Sequence, residues 1–219
     1  MNARTRDKYQ QLVSTVKSLP ATPTAVAHPC DEASLSGAID AVRMNIIVPI
    51  LVGPRHKILA AAKAANLEIT PYEIVDAEYS HDAAERAVSL VREGRAKMLM
   101  KGSLSTDELL GAVVRRDTGL RTARRLSHCF IMDVPRYPNV LIITDAAINI
   151  FPTLEDKVDI VQNAIDLAHA LKIEKAQGGG RPPSWASSFR DYCRPYLSGL
   201  AGAFAVVTIE CKPVAHRFR

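Results

Sequence analysis

The residues best suited to chemistry lie between Met98 and Thr122, where a short apolar run gives way to Lys101-Gly-Ser-Leu-Ser-Thr-Asp-Glu108 and then to a helical pattern. Ser105 and Glu108 have the S-x-x-E spacing of a capping box, which sets a helix start there. A helix start carries unpaired amide donors and the positive end of the macrodipole. Around it stand Lys101 for charge, Gly102 to let backbone amides come close, and the hydroxyls of Ser103 and Thr106. That combination suits a phosphate-sized anion. An ordinary strand-to-helix turn with a surface lysine has the same spacing, so the local pattern leaves both readings open. Arg121, after Gly119-Leu120, joins Arg124 and Arg125 as a guanidinium cluster for a phosphate or as a solvated surface. Asp145 opens a loop to Asn149 at a strand end, where it either accepts loop amides or meets a ligand. His128 lies within an apolar run, which favours a hydrogen-bonded structural histidine over a catalytic base.

Length and composition bound what these residues can serve. At 219 residues the chain suits one large domain or two small ones. No apolar run approaches the roughly 18 residues a membrane span needs, and the polar N-terminus is unlike a secretory signal. Cys30, Cys129, Cys193 and Cys211 are scattered without a C-x-x-C, which argues for free thiols, no metal site and a cytoplasmic setting. The net charge of +5 is dispersed and not interleaved with aromatics, so no nucleic-acid partner is expected. The dinucleotide fingerprint, the P-loop and the nucleophile elbow are all missing from the sequence.

Positioning these loops requires alternating strands and helices. A polar helix over 2–18 precedes an apolar strand at Thr24 to Ala27. Asp31 caps a helix to about Arg43, and the β-branched run Ile46 to Val52 reads as a strand buried on both faces. Gly53-Pro54 leads into a helix over Lys57 to Ala65, followed by a strand at Tyr72 to Val75. Ser80 is placed as the cap of a helix ended by Gly94. Met98 to Met100 is a strand, and the helix capped at Ser105 runs to about Arg116. Ser127 to Val134 and Val140 to Thr144 form an antiparallel pair turned at Arg136 to Asn139. Thr153 caps a long helix to about Lys172, with Val158, Ile160, Val161, Ile165 and Leu167 on its buried faces. The alternation predicts a doubly wound α/β sheet over residues 1–174. Residues 175–219 form a Gly/Pro/Arg-rich tail without period, expected to be poorly ordered.

Taken together, the runs quoted above resemble the phosphate acetyl/butyryl transferase family. They are Lys101 to Val114, Gly119-Leu-Arg-Thr122 with Ser127-His128, and Ile143-Thr-Asp-Ala-Ala-Ile-Asn149 before Pro152. His28-Pro-Cys-Asp31, Ile47 to Pro54 and Asp159 to His169 belong to the same pattern. The likeness is greatest to the phosphate acyltransferase half of bifunctional enoyl-CoA hydratase/phosphate acetyltransferases. The resemblance implies transfer of an acetyl or butyryl group between coenzyme A and inorganic phosphate, with no tightly bound cofactor or metal. It implies two α/β domains of the isocitrate/isopropylmalate dehydrogenase-like type, the second incomplete here, and the apolar surface that the absent segments would cover predicts a homo-oligomer. It also implies that Lys101, Thr106, Arg121, Asp145 and Asn149 lie in or near a cleft, where Gly102 and Ser103 complete the substrate-binding loop. The family's proposed catalytic serine, arginine and aspartate come from a late segment that Ser188-Phe-Arg-Asp191 does not match. No catalytic residue is therefore assigned, and an acyltransferase impaired by loss of that segment is the expectation. A non-catalytic CoA- or phosphate-binding remnant is the alternative, with a basic nucleic-acid-binding protein behind it.

Overall fold

The computed structural model describes residues 7–133, 140–145, 147–171 and 173. The expected tail 175–219 and the Arg136 to Asn139 turn lie outside them. Among the described residues the chain divides into two compact units, one ending at Leu126 and one beginning at Ser127.

The first unit alternates helices and strands. In order these are α1 (Asp7–Lys17), β1 (Thr22–Ala27), α2 (Glu32–Arg43), β2 (Ile47–Gly53) and α3 (Arg55–Ala64). Then come β3 (Glu73–Asp76), α4 (Ser80–Arg92), β4 (Met98–Lys101) and α5 (Thr106–Val113). The strands form a parallel four-stranded sheet in the order β3-β2-β1-β4. β1 is buried from Thr24 to Ala27, as expected for a parallel strand covered on both faces. Its side chains alternate between two cores. Ala25 and Ala27 pack with Ile50 and Val52 against α4 and α5, through Ala84, Ala87, Val88, Leu109 and Ala112. Val26 and Leu51 pack against α2 and α3, through Leu35, Ile39, Ile58 and Ala62. Leu35, Leu51, Ile58, Leu99 and Leu109 are among the fully buried side chains. Each such side chain contributes about 1.5–3 kcal/mol relative to exposure.

Chain order and space diverge at one place. β1 passes through α2 to β2 on one side, and β4 returns to the other side of β1. The helices leaving β1 and β4 depart to opposite faces. The C-terminal ends of β1 and β4 therefore form a topological switch point, the position where open parallel sheets receive ligands.

The second unit contains β5 (Cys129–Met132), β6 (Leu141–Thr144) and α6 (Leu154–Ala170). β5 and β6 are antiparallel, with Cys129 opposite Thr144 and Met132 opposite Leu141, as the sequence pattern predicts. Thr153 caps α6 in a full capping box with Asp156.

Three local expectations are corrected. Ser80 does not cap α4: the N-cap is Tyr79 without a side-chain bond, and the Ser80 hydroxyl donates to Glu108 instead. α5 ends at Val113 rather than Arg116, because the chain folds back and Leu120 N–H donates to Val113 O at 2.7 Å. Ile160 of α6 is buried, whereas Val158 and Val161 are 63% and 52% exposed. They lie away from the face that carries Ile160, and nothing among the described residues covers them.

Candidate functional site

Two loops meet at the switch point, one after β1 and one after β4. β1 ends at Ala27, and His28 then takes a left-handed backbone, φ 54°. Among the described residues the other non-glycine positions with positive φ are Asn45 and Asn66, each directly after a helix C-cap where asparagine is at home. His28 is different: it stands at a strand end, before a buried proline. Its carbonyl holds the conformation by accepting from Ser103 N–H at 2.8 Å, Cys30 N–H at 2.9 Å and the Ser103 hydroxyl at 2.8 Å.

On the β4 side, Lys101 pairs with Ala27 in the sheet register. Gly102 N–H donates to Ala27 O at 2.8 Å. A Cβ on Gly102 would lie 2.5 Å from both Ala27 O and His28 O, so only glycine allows the loops to close this tightly. Ser103 is the rivet. Besides its bonds to the His28 carbonyl, its oxygen lies 3.1 Å from His28 Nδ1 and accepts Cys30 N–H at 3.2 Å. Lys101 Nζ folds over its own loop, donating to Leu104 O at 2.8 Å and Gly102 O at 3.3 Å.

The helix start beyond is built as predicted. Ser105 Oγ accepts Glu108 N–H at 3.1 Å, and Glu108 Oε2 accepts Ser105 N–H at 2.7 Å. Thr106 is the first residue of α5 and is exposed. Glu108 also reaches α4, accepting from Ser80 Oγ at 2.6 Å and lying 3.0 Å from His81 Nδ1. The Ser80 hydroxyl first, then the Ser105 amide, hold its carboxyl down at about 2.

The electrostatics of the β1 loop follow from burial. Burial lowers the His28 pKa, Lys57 adds to the effect, and Glu108 and Asp31 oppose it. Burial likewise raises the Cys30 thiol to about 11, with Lys57 opposing and Asp31 assisting. Asp31 itself caps α2 through Ser34 N–H at 2.8 Å.

Lys101, Gly102, Ser103 and Thr106 thus sit on one loop and helix start. Arg121 is at the other end of α5, about 12 Å of helix away. It is exposed by a turn in which Gly119 is required: a Cβ there would meet Val113 O at 2.3 Å. Leu120 is buried in the core, and this anchors the turn.

Asp145 and Asn149 belong to the second unit. Asp145 Oδ1 accepts Ala147 and Ile148 N–H, each at 3.0 Å. Its Oδ2 takes Asn149 N–H at 3.2 Å and Asn149 Nδ2 at 2.5 Å. Burial pushes the Asp145 carboxyl up, but the amides of Ile148 and Ala147 and the Asn149 side chain outweigh it, and its pKa is lowered. The carboxylate organises the loop that carries Asn149. His128 is not the satisfied structural histidine expected: its ring stands edge-on to Phe130 at 4.2 Å, and its buried Nδ1 has no hydrogen-bond partner among the described residues.

Among the described residues, no group of three or more His, Cys, Asp or Glu side chains is arranged to hold a metal ion. No helix among them is long and apolar enough to cross a membrane. The sequence pattern puts the His28-Pro29 loop at the end of the first strand, where open sheets collect ligands, but gives its imidazole no role.

Comparison with known proteins bears on both units. Residues 77–177 match the family model described as Phosphate acetyl/butaryl transferase. Over 164 residues the chain is 57% identical to a phosphate acetyltransferase of Rhizobium meliloti, covering 75% of this chain and 52% of that one. Over 166 residues it is 39% identical to a phosphate butyryltransferase of Clostridium beijerinckii, covering 76% and 55%. The chain spans about half the length of these curated relatives. The fold is similar to that of a phosphotransacetylase from Streptococcus pyogenes, with a TM-score of 0.65 at 18% identity over 84% of this chain and 66% of that one.

Proposed function

We propose that this chain, whose residues 77–177 belong to the phosphate acetyl/butyryl transferase family, moves an acetyl or butyryl group between coenzyme A and inorganic phosphate. In that reaction a phosphate oxygen attacks the thioester carbonyl, the new C–O bond forms, the C–S bond breaks, and coenzyme A leaves as its thiolate. Positive charge and amide donors stabilise the phosphate and the oxyanion. Lys101, Gly102, Ser103 and Thr106 hold the phosphate or a phosphoryl group of coenzyme A, Arg121 adds a guanidinium, and Asp145 fixes the loop that presents Asn149. The observation that carries this reading is the likeness to named acetyl- and butyryltransferases across the body of the chain. The switch-point position of the Lys101 loop supports it.

The same reading gives the sheet the isocitrate/isopropylmalate dehydrogenase-like form of the doubly wound fold. It gives the molecule a cytoplasmic setting, coenzyme A as substrate without a tightly bound cofactor, and a homo-oligomeric state. A second reading is a CoA- or phosphate-binding protein without turnover. It is favoured by the Lys101 ammonium and the Asp145 carboxylate, each bonded within its own loop. Thioester formation from acetyl or butyryl phosphate and coenzyme A, run beside calorimetry with each ligand, separates the two. Thioester product supports transfer; heat on CoA addition without product supports the binder; a folded protein giving neither removes both.

A further inference from the structure

The β1–β4 switch point holds a histidine that the residues assigned so far do not use. Ser103 Oγ has one hydrogen to give and lone pairs to receive. Its shorter acceptor contact is the His28 carbonyl, at 2.8 Å, against 3.1 Å to His28 Nδ1. Placing its hydrogen on that nearer acceptor lets its oxygen accept from both Cys30 N–H and the imidazole. The imidazole hydrogen is then on Nδ1, which leaves Nε2 with the lone pair. No described residue bonds that second nitrogen. The ring is half-buried on a left-handed backbone that three hydrogen bonds to its carbonyl maintain. Such unusual backbone at a strand end is found where a side chain must be aimed.

Resting on the proposed phosphate site, we infer that His28 is a further ligand-binding residue: its Nε2 accepts the hydrogen of a protonated phosphate oxygen, while Ser103 fixes the tautomer that makes this possible. The charged groups around the ring divide by element. Burial first and then Lys57 of α3 lower its pKa and so favour the neutral ring, while Glu108 of α5 and Asp31, the cap of α2, act the other way. A neutral ring is what an acceptor requires. Lys101 and His28 then act as complements at one anion, the first contributing charge and the second receiving its proton-bearing oxygen.

Nitrogen-15 NMR of the histidine-labelled full chain reads the tautomer directly. The expected result is a hydrogen on Nδ1 of His28 and a shift of Nε2 on adding inorganic phosphate. Repeating the titration with coenzyme A and with dephospho-coenzyme A identifies which phosphate is taken. His28→Asn is the matched variant: asparagine tolerates the left-handed backbone and keeps a donor for Ser103, but lacks the distal acceptor. Its phosphate or CoA affinity should fall about tenfold with an unchanged melting temperature. Ser103→Ala should move the hydrogen to Nε2. A hydrogen on Nε2 in the unaltered chain, or a folded His28→Asn chain binding as tightly as the parent, overturns the inference and leaves the phosphate site standing. Failure of the parent chain to bind phosphate or coenzyme A overturns both.

Discussion

Glu108 shows how much one side chain can join. Its carboxylate closes the α5 capping box, takes the Ser80 hydroxyl of α4 and pairs with His81. The folded pKa is about 2, below the ordinary 4.5. A carboxyl depressed in this way adds stability that is fully present above its unfolded pKa and is lost as pH falls through the folded one. Glu108→Gln should therefore melt below the parent at neutral pH, and the gap should close between about pH 4.5 and pH 2. Thermal melts across that window test this, and a gap independent of pH would show that the charge is not what joins the helices. Cys30 gives the opposite case. Burial holds its thiol at about 11, so it stays protonated and a poor nucleophile at pH 8. Peptide mapping after brief iodoacetamide treatment should find Cys30 labelled many-fold more slowly than free cysteine, and labelling at the free rate would contradict the burial.

At the scale of elements, the strand and helix alternation was legible because each element carries a local signature. The apolar run at Ile47 to Val52 is buried on both faces except at Val48, and Ser105 with Glu108 formed the box that their spacing predicts. What could not be read was cross-chain bonding. Nothing local tells that Ser80 serves Glu108, that Ser103 is tied to His28, or that Lys101 turns inward to Leu104. These links join residues distant in sequence or depend on a loop path that tertiary packing sets. Glycines expose the difference. Gly37, inside α2, has open space around a built Cβ, whereas Gly102 has two carbonyl oxygens at 2.5 Å. Gly37→Ala should raise stability by about 0.5–1 kcal/mol, through helix propensity and a more restricted unfolded chain. Gly102→Ala must push the β1 and β4 loops apart and should cost about 1–3 kcal/mol. Urea melts of both variants check this, and equal effects would mean that the loops are not held together as tightly as the distances state.

Across the whole molecule the two units differ in how well they cover their apolar surface. The first encloses its sheet between two sets of helices. Among its described residues the second has two paired strands and one helix, and two strands alone are marginal in water without further packing. Its apolar residues extend to both sides. Adjacent Phe130 and Ile131 of β5 are 40% and 41% exposed, and Ile150, Phe151 and Leu154 are 82%, 94% and 80% exposed. Leu154, Val158 and Val161 recur at i, i+4 and i+7, which puts them on one stripe of α6. The sequence pattern places Val158 and Val161 of that stripe on buried faces, and its composition does demand a cover: an exposed apolar patch of this kind drives association. The proposed homo-oligomer would supply one. Phe151→Ser with Leu154→Glu should lower the mass seen by light scattering at matched concentration. The first-unit core is untouched by these changes, and glutamate in the first turn of α6 suits the helix dipole, so circular dichroism should be preserved. A parent chain that is monomeric at every concentration, or a variant that associates as the parent does, would place self-association elsewhere than on this stripe.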